Sequence, residues 1–98
     1  MELYTFLMLF RGGTYISQVY AERLLDAVKL WGEKLEPDDI KHLSKKGKSE
    51  LLTELIDIEL VNITGMKNVW FFCFSIKKGF LAVNVIKTSN IDKMESLK

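Results

Sequence analysis

Apolar residues fill Leu3 to Phe10 at nearly every position, with Thr5 the exception. A run of that length suits a strand or a buried helix. The aromatics at 4, 6 and 10 and the two glycines just after it favour a strand. Both alternating sets are apolar, so the spacing predicts a central strand or one covered on both sides. Thr14 to Tyr20 is rich in β-formers and predicts a second strand. With Gly12-Gly13 as the turn, Leu9 would face Ile16, Leu7 would face Gln18, and Phe10 would face Tyr15.

The period then lengthens. Leu24, Ala27, Val28, Trp31 and Leu35 recur at helical spacing, which predicts an amphipathic helix over 21–34. Glu36-Pro37-Asp38-Asp39 has the chemistry of a helix start, with proline and acids in the first turn. Lys45-Lys46-Gly47 has that of a helix end, so a second helix is expected, burying Ile40 and Leu43. Ser49 can cap a third, over 50–56, with Leu51, Leu52, Leu55 and Ile56 inside.

From Ile58 the period shortens again. Ile58–Ile63, Val69–Ile76 and Phe80–Lys87 read as strands, although the first could begin as a continuation of the helix. A Lys78-Gly79 turn would set Ile76 against Leu81, Phe74 against Val83 and Phe72 against Val85, one apolar face. The other face, with Phe71, Cys73 and Ser75, is mixed. Residues 88–98 read as a polar tail or one further helical turn. The expected order is β-β-α-α-α-β-β-β, an α+β fold with a mostly antiparallel sheet and helices on one face.

Ninety-eight residues, 48% of them hydrophobic, suit a single domain spanning 1–98. One cysteine excludes an internal disulfide framework. No basic leader precedes the first apolar run, which is too short to span a bilayer, so neither a signal peptide nor a membrane contact is expected and the cytoplasm is the default. The net charge of +1 gives no global field for nucleic acid or membrane. The charges are nevertheless grouped. Lys41, His42, Lys45, Lys46 and Lys48 form a basic run, and Glu50, Glu54, Asp57 and Glu59 an acidic one.

Candidate chemistry is sparse. A phosphate loop needs a lysine after its glycines and a helix to follow; after Gly13 there is neither. His42 is the only histidine, and a metal or base–nucleophile site needs more. Cys73 lies mid-strand between phenylalanines, the setting of a packed thiol with no cation beside it. No cofactor, metal or catalytic set is therefore expected. Lys41, Lys45, Lys46 and Lys48 lack interleaved aromatics, so a solvated helix end explains them more simply than a nucleic-acid site. Glu50, Glu54 and Asp57 are a solvated face or a docking stripe for a basic protein. Trp70, if it points outward, is a candidate interface anchor.

The pattern Gly12-Gly13-Thr14-Tyr15-Ile16-Ser17-Gln18, followed by a helix with Leu24, Ala27 and Trp31, resembles the opening of HicB-like antitoxin domains. The likeness covers residues 3–35. In size and texture the whole chain also resembles small bacterial toxin-immunity proteins. The resemblance implies a non-catalytic module that binds and neutralises another protein, a toxin, by occluding its surface. The alternatives are a nucleic-acid-binding module using residues 41–48, and a homodimeric structural domain that joins its copy through Val69–Ile76 or Phe80–Lys87.

Overall fold

A computed structural model describes residues 1–88 of the chain. The tail expected over 88–98 lies, from Ser89 on, outside the described residues. The order is β1 (Glu2–Phe10), β2 (Gly13–Ala21), α1 (Leu24–Lys34), a single 3-10 turn (Pro37–Asp39), α2 (Ser44–Leu55), β3 (Val61–Asn62), β4 (Val69–Ile76) and β5 (Gly79–Thr88). The strands form one antiparallel sheet in the order β2-β1-β5-β4-β3. The described residues form an α+β domain with two helices, so the expected order with three helices between the strands is overturned.

The missing helix has a physical cause. Pro37 and the acids after it start only one 3-10 turn, which ends at Ile40. Ile40 and Leu43 are buried without a helix to carry them. His42 and Ser44 both take left-handed backbone, at φ 72 and φ 60, and break any continuation. Helix α2 then starts earlier than expected. Ser44 Oγ, and not Ser49, accepts an amide, the Gly47 N–H at 3.1 Å, in the geometry of an N-cap.

Lys45 and Lys46 therefore sit in the first turn of α2, where the helix dipole disfavours cations. Packing outweighs that cost. Gly47 is no cap but a buried helical residue: a Cβ there would lie 3.3 Å from Leu43 Cδ1 and 3.5 Å from Ile76 Cδ1. The glycine lets α2 approach β4 closely. Leu51 is fully buried and Leu52 and Leu55 half so. Ile56, expected on the inner stripe, instead projects into solvent at 77% exposure.

Helix α1 begins three residues later than expected, at Leu24, because β2 continues through Ala21. It carries Asp26 in its first turn and Lys34 in its last, both favourable to the dipole. Trp31 is its central buried residue. The indole stacks on Phe6 (centroids 5.2 Å apart) and meets the Phe72 ring edge-on at 5.8 Å. Tyr4, Phe6, Met8 and Phe10 of β1, Phe72, Phe74 and Ile76 of β4, and Leu81, Val83 and Val85 of β5 complete the core beneath the two helices.

Both long hairpins keep the expected faces but shift register by two residues. The first turn is Arg11-Gly12, both at positive φ (47 and 81), so Leu9 faces Thr14, Leu7 faces Ile16 and Phe10 faces Gly13. That two-residue loop with two left-handed centres suits strand twist. Gly13 serves a different purpose: a Cβ on it would fall 2.7 Å from Tyr15 Oη. In the second hairpin the turn is Lys77-Lys78, which sets Phe74 against Leu81, Phe72 against Val83 and Trp70 against Val85. A shift of two preserves side-chain parity, so the same residues stay inside. The strand expected over 58–63 shortens to Val61–Asn62.

Candidate functional site

The residues singled out in the sequence fall in three separate places. Glu50 is half-buried, and its Oε2 accepts the Lys77 N–H at 3.0 Å. That bond ties α2 to the β4–β5 turn, so Glu50 has a structural task. Glu54 is exposed and shares a shallow groove with Glu50, Thr53, Ser75 and Ile76. Asp57 is exposed in the turn just past α2. Glu50 and Glu54 thus lie beside one groove on α2, and Asp57 follows past the end of the helix. Trp70 is half-buried and packs against the core, opposite Val85. Phe71, next to it, takes the opposite side of the sheet.

Lys41, Lys45 and Lys46 are exposed. Lys48 is half-buried, and its Nζ donates to the Glu33 carbonyl at 2.7 Å, satisfying an open acceptor at the end of α1. The turns bring further cations to the Lys41 end of the molecule. The Arg11 guanidinium donates to the Lys78 carbonyl at 2.7 Å, linking the two hairpin turns. His42 lies near them and is held below the ordinary histidine range. Partial desolvation of the ring leads, although the side chain is exposed overall, and the positive charges of Arg11, Lys41 and Lys78 add to it.

Cys73 is exposed, against the expectation of a packed thiol. It lies on the side of the sheet that carries no helix among the described residues. Among the described residues no group of three or more His, Cys, Asp and Glu side chains could hold a metal ion.

The open side of the sheet is the feature that sequence reasoning did not assign. One cross-strand row runs over all five strands: Ile16, Leu7, Asn84, Phe71 and Val61. A second row is Thr14, Leu9, Ala82 and Cys73, and a third is Gln18, Thr5, Ile86 and Val69. Ile16 is 64% exposed, Phe80 55%, Val61 53% and Leu9 47%. No strand residue that points to this side is an Asp, Glu, Lys or Arg. The polar members are hydroxyls and amides, and two of them satisfy each other, Gln18 Nε2 donating to Thr5 Oγ1 at 2.9 Å. The signal for this face was in the sequence. Both alternating sets of Leu3–Phe10 are apolar, the mark of a strand covered on both sides. The helices cover only one.

Two grooves lie on the helix side. One, of about 390 Å³, runs between β2 and the segment from Trp31 to Ile40. The other, of about 420 Å³, is a mainly apolar cleft between α1 and α2 that includes Leu25, Val28, Leu52 and Ile56. No helix among the described residues is long and apolar enough to cross a membrane. No protein-family model matches the chain, no curated protein matches it, and no solved structure matches it.

Proposed function

We propose that this protein is a non-catalytic binding module that engages another protein through the open face of its sheet. The observation that supports the reading is the uncharged, largely apolar surface formed by the rows through Leu7, Leu9 and Phe71. Four long strands spaced about 4.8 Å apart and eight residues rising about 3.3 Å each give a face of roughly 19 by 26 Å. That is about 500 Å² in plan and more along the side-chain contour, toward the roughly 800 Å² per partner of a standard interface. A surface without charge selects a partner by shape and apolar contact rather than by electrostatic steering. Neutralisation of a toxin is the specific form this activity would take. Glu54 and Asp57, exposed at the edge of α2, would be secondary contacts.

The test uses Phe71→Lys and Leu7→Lys, each at the centre of the face, against a partner sought first among the products of neighbouring genes. Binding is measured by calorimetry. Each change is expected to weaken binding by about 30-fold or more, as for a central contact. Reversing Glu54 and Asp57 together should alter the association rate far more than the dissociation rate. Wild-type affinity in both lysine variants would show that the partner binds elsewhere.

A second reading, nucleic-acid binding, is favoured by one observation: the Arg11 guanidinium donates to the Lys78 carbonyl at 2.7 Å, which brings cations of both hairpin turns together. Lys45 and Lys46 would extend that surface. Binding should then fall steeply with salt, and no retention on DNA or RNA at about 50 mM salt would end this reading.

A further inference from the structure

β2 closes one side of the sheet, and among the described residues no other strand pairs with its outer edge. Natural edge strands carry devices against pairing: short length, lysine or proline, or a bulge. At the opposite edge β3 is only two residues long and pairs with Trp70 and Phe71 alone, while Gly47 brings α2 close to β4 and Glu50 accepts the Lys77 N–H. β2 has none of these devices. It runs nine residues, GTYISQVYA, with no charge and no proline. It pairs residue for residue with β1 from Glu2–Ala21 to Phe10–Gly13, with no bulge.

We infer that β2 pairs antiparallel with β2 of a second copy of this chain, about a two-fold axis at Ser17. The two-residue turn at Arg11-Gly12 makes Phe10–Gly13 a hydrogen-bonded pair. Alternation then turns the N–H and C=O groups of Tyr15, Ser17 and Val19 toward β1. Those of Thr14, Ile16, Gln18 and Tyr20 point outward, with no strand partner among the described residues. Pairing centred on Ser17 sets Thr14 against Tyr20 of the second copy and Ile16 against Gln18 of the second copy. Each of these is a pair of outward groups, so about eight backbone hydrogen bonds form. The register also keeps side-chain parity. Tyr15 meets Val19 on the helix side of both copies, and the two open faces join into one.

The occupant is a copy rather than a foreign strand because the edge is self-complementary and carries no charge to select anything else. The groove beside β2 holds Lys34, Glu36 and Asp39 in its wall, so each copy carries both signs of charge next to this edge. Pairing through this edge is independent of what the open face binds.

Sedimentation equilibrium of the full chain between about 1 and 200 μM tests it. The wild type is expected to reach twice the 11.3 kDa of one chain. Ile16→Lys with Gln18→Lys places lysine directly opposite lysine on both sides of the axis and should weaken association by about 30-fold or more. Ile16→Glu with Gln18→Glu should do the same. An equimolar mixture of the two variants should restore a dimer, which neither forms alone. Gln18→Pro removes one outward N–H without adding charge and should also lose the dimer. Phe71→Lys, far from the edge, should leave it intact. Unchanged far-ultraviolet circular dichroism confirms that the variants are folded. A monomer throughout the concentration range overturns the proposal. So does a dimer that survives the lysine pair, or one that Phe71→Lys abolishes.

Discussion

Replacing Gly32 and, separately, Gly47 by alanine tests the helix packing, because the two sites share one gain and differ in one cost. Each glycine is buried within a helix. Alanine recovers about 1 kcal/mol of helix propensity at either position. At Gly32 the new methyl would lie 2.5 Å from Leu55 Cδ1 and 3.1 Å from Leu52 Cδ2. Carbon atoms rest at about 3.5–4.0 Å, so both leucines must move within the seam between α1 and α2. Overpacking of this kind costs about 1–3 kcal/mol. The net expectation at Gly32 is a loss of about 1 kcal/mol. At Gly47 the closest atom is Leu43 Cδ1 at 3.3 Å, which needs to yield only a few tenths of an ångström. There the propensity gain wins, and stability should hold or rise by about 0.5 kcal/mol. Urea unfolding followed by circular dichroism measures the difference. With a slope of about 1–1.5 kcal/mol per molar, the two midpoints should separate by about 1 M. If Gly47→Ala were the more damaging change, Gly47 would be acting as a left-handed cap, and α2 could not run unbroken from Ser44 to Leu55.

Two further outcomes are expected. Trp31→Leu and Phe6→Leu should each cost about 1–3 kcal/mol, and their double-mutant cycle should show a coupling of about 0.5–1.5 kcal/mol from the stacked rings; a coupling of zero in urea unfolding would contradict the stack. The lowered His42 pKa makes the unfolded chain take up its proton first, from about pH 6.5 downward, so stability falls as pH drops through that window toward the folded value. His42→Asn, which suits the left-handed φ of 72, should flatten the thermal midpoint between about pH 7.5 and 5.5, and a wild-type midpoint that rose on acidification would refute the sign.

Side-chain parity was legible in the sequence. Alternation alone put Phe72, Phe74, Ile76, Leu81, Val83 and Val85 on one side, and all six are buried. Register was not, because a glycine beside a turn can occupy the turn or close the strand next to it. Gly13 and Gly79 close strands, and the turns fall on Arg11-Gly12 and Lys77-Lys78. The middle of the chain was harder still. Lys45-Lys46-Gly47 has the local chemistry of a helix end, yet contacts of Gly47 with Leu43 and Ile76 place it inside α2. Such a tertiary contact between residues 47 and 76 leaves no local trace.

The candidate site was visible only in part. Glu50, Lys48 and Trp70 are each occupied with holding the fold, through Lys77, Glu33 and the core respectively. Residue type alone does not separate such tasks from binding. The open face was foreshadowed by the two-sided apolarity of Leu3–Phe10. What the sequence could not show is that the helices among the described residues cover only one of those sides.

The central pairing of β1 with β5 has a consequence for how the chain is made. Leu3 and Thr88 are adjacent in the sheet, and Thr88 Oγ1 donates to the Leu3 carbonyl at 3.0 Å. At a synthesis rate of roughly 5–20 residues per second, about 3–14 s separate the emergence of Phe10 from that of Gly79. Through that interval the first hairpin exists with one long apolar edge that no neighbour yet occupies. The sheet cannot close from its amino-terminal half. Its middle waits for β5, the last of the described strands, which joins the two halves.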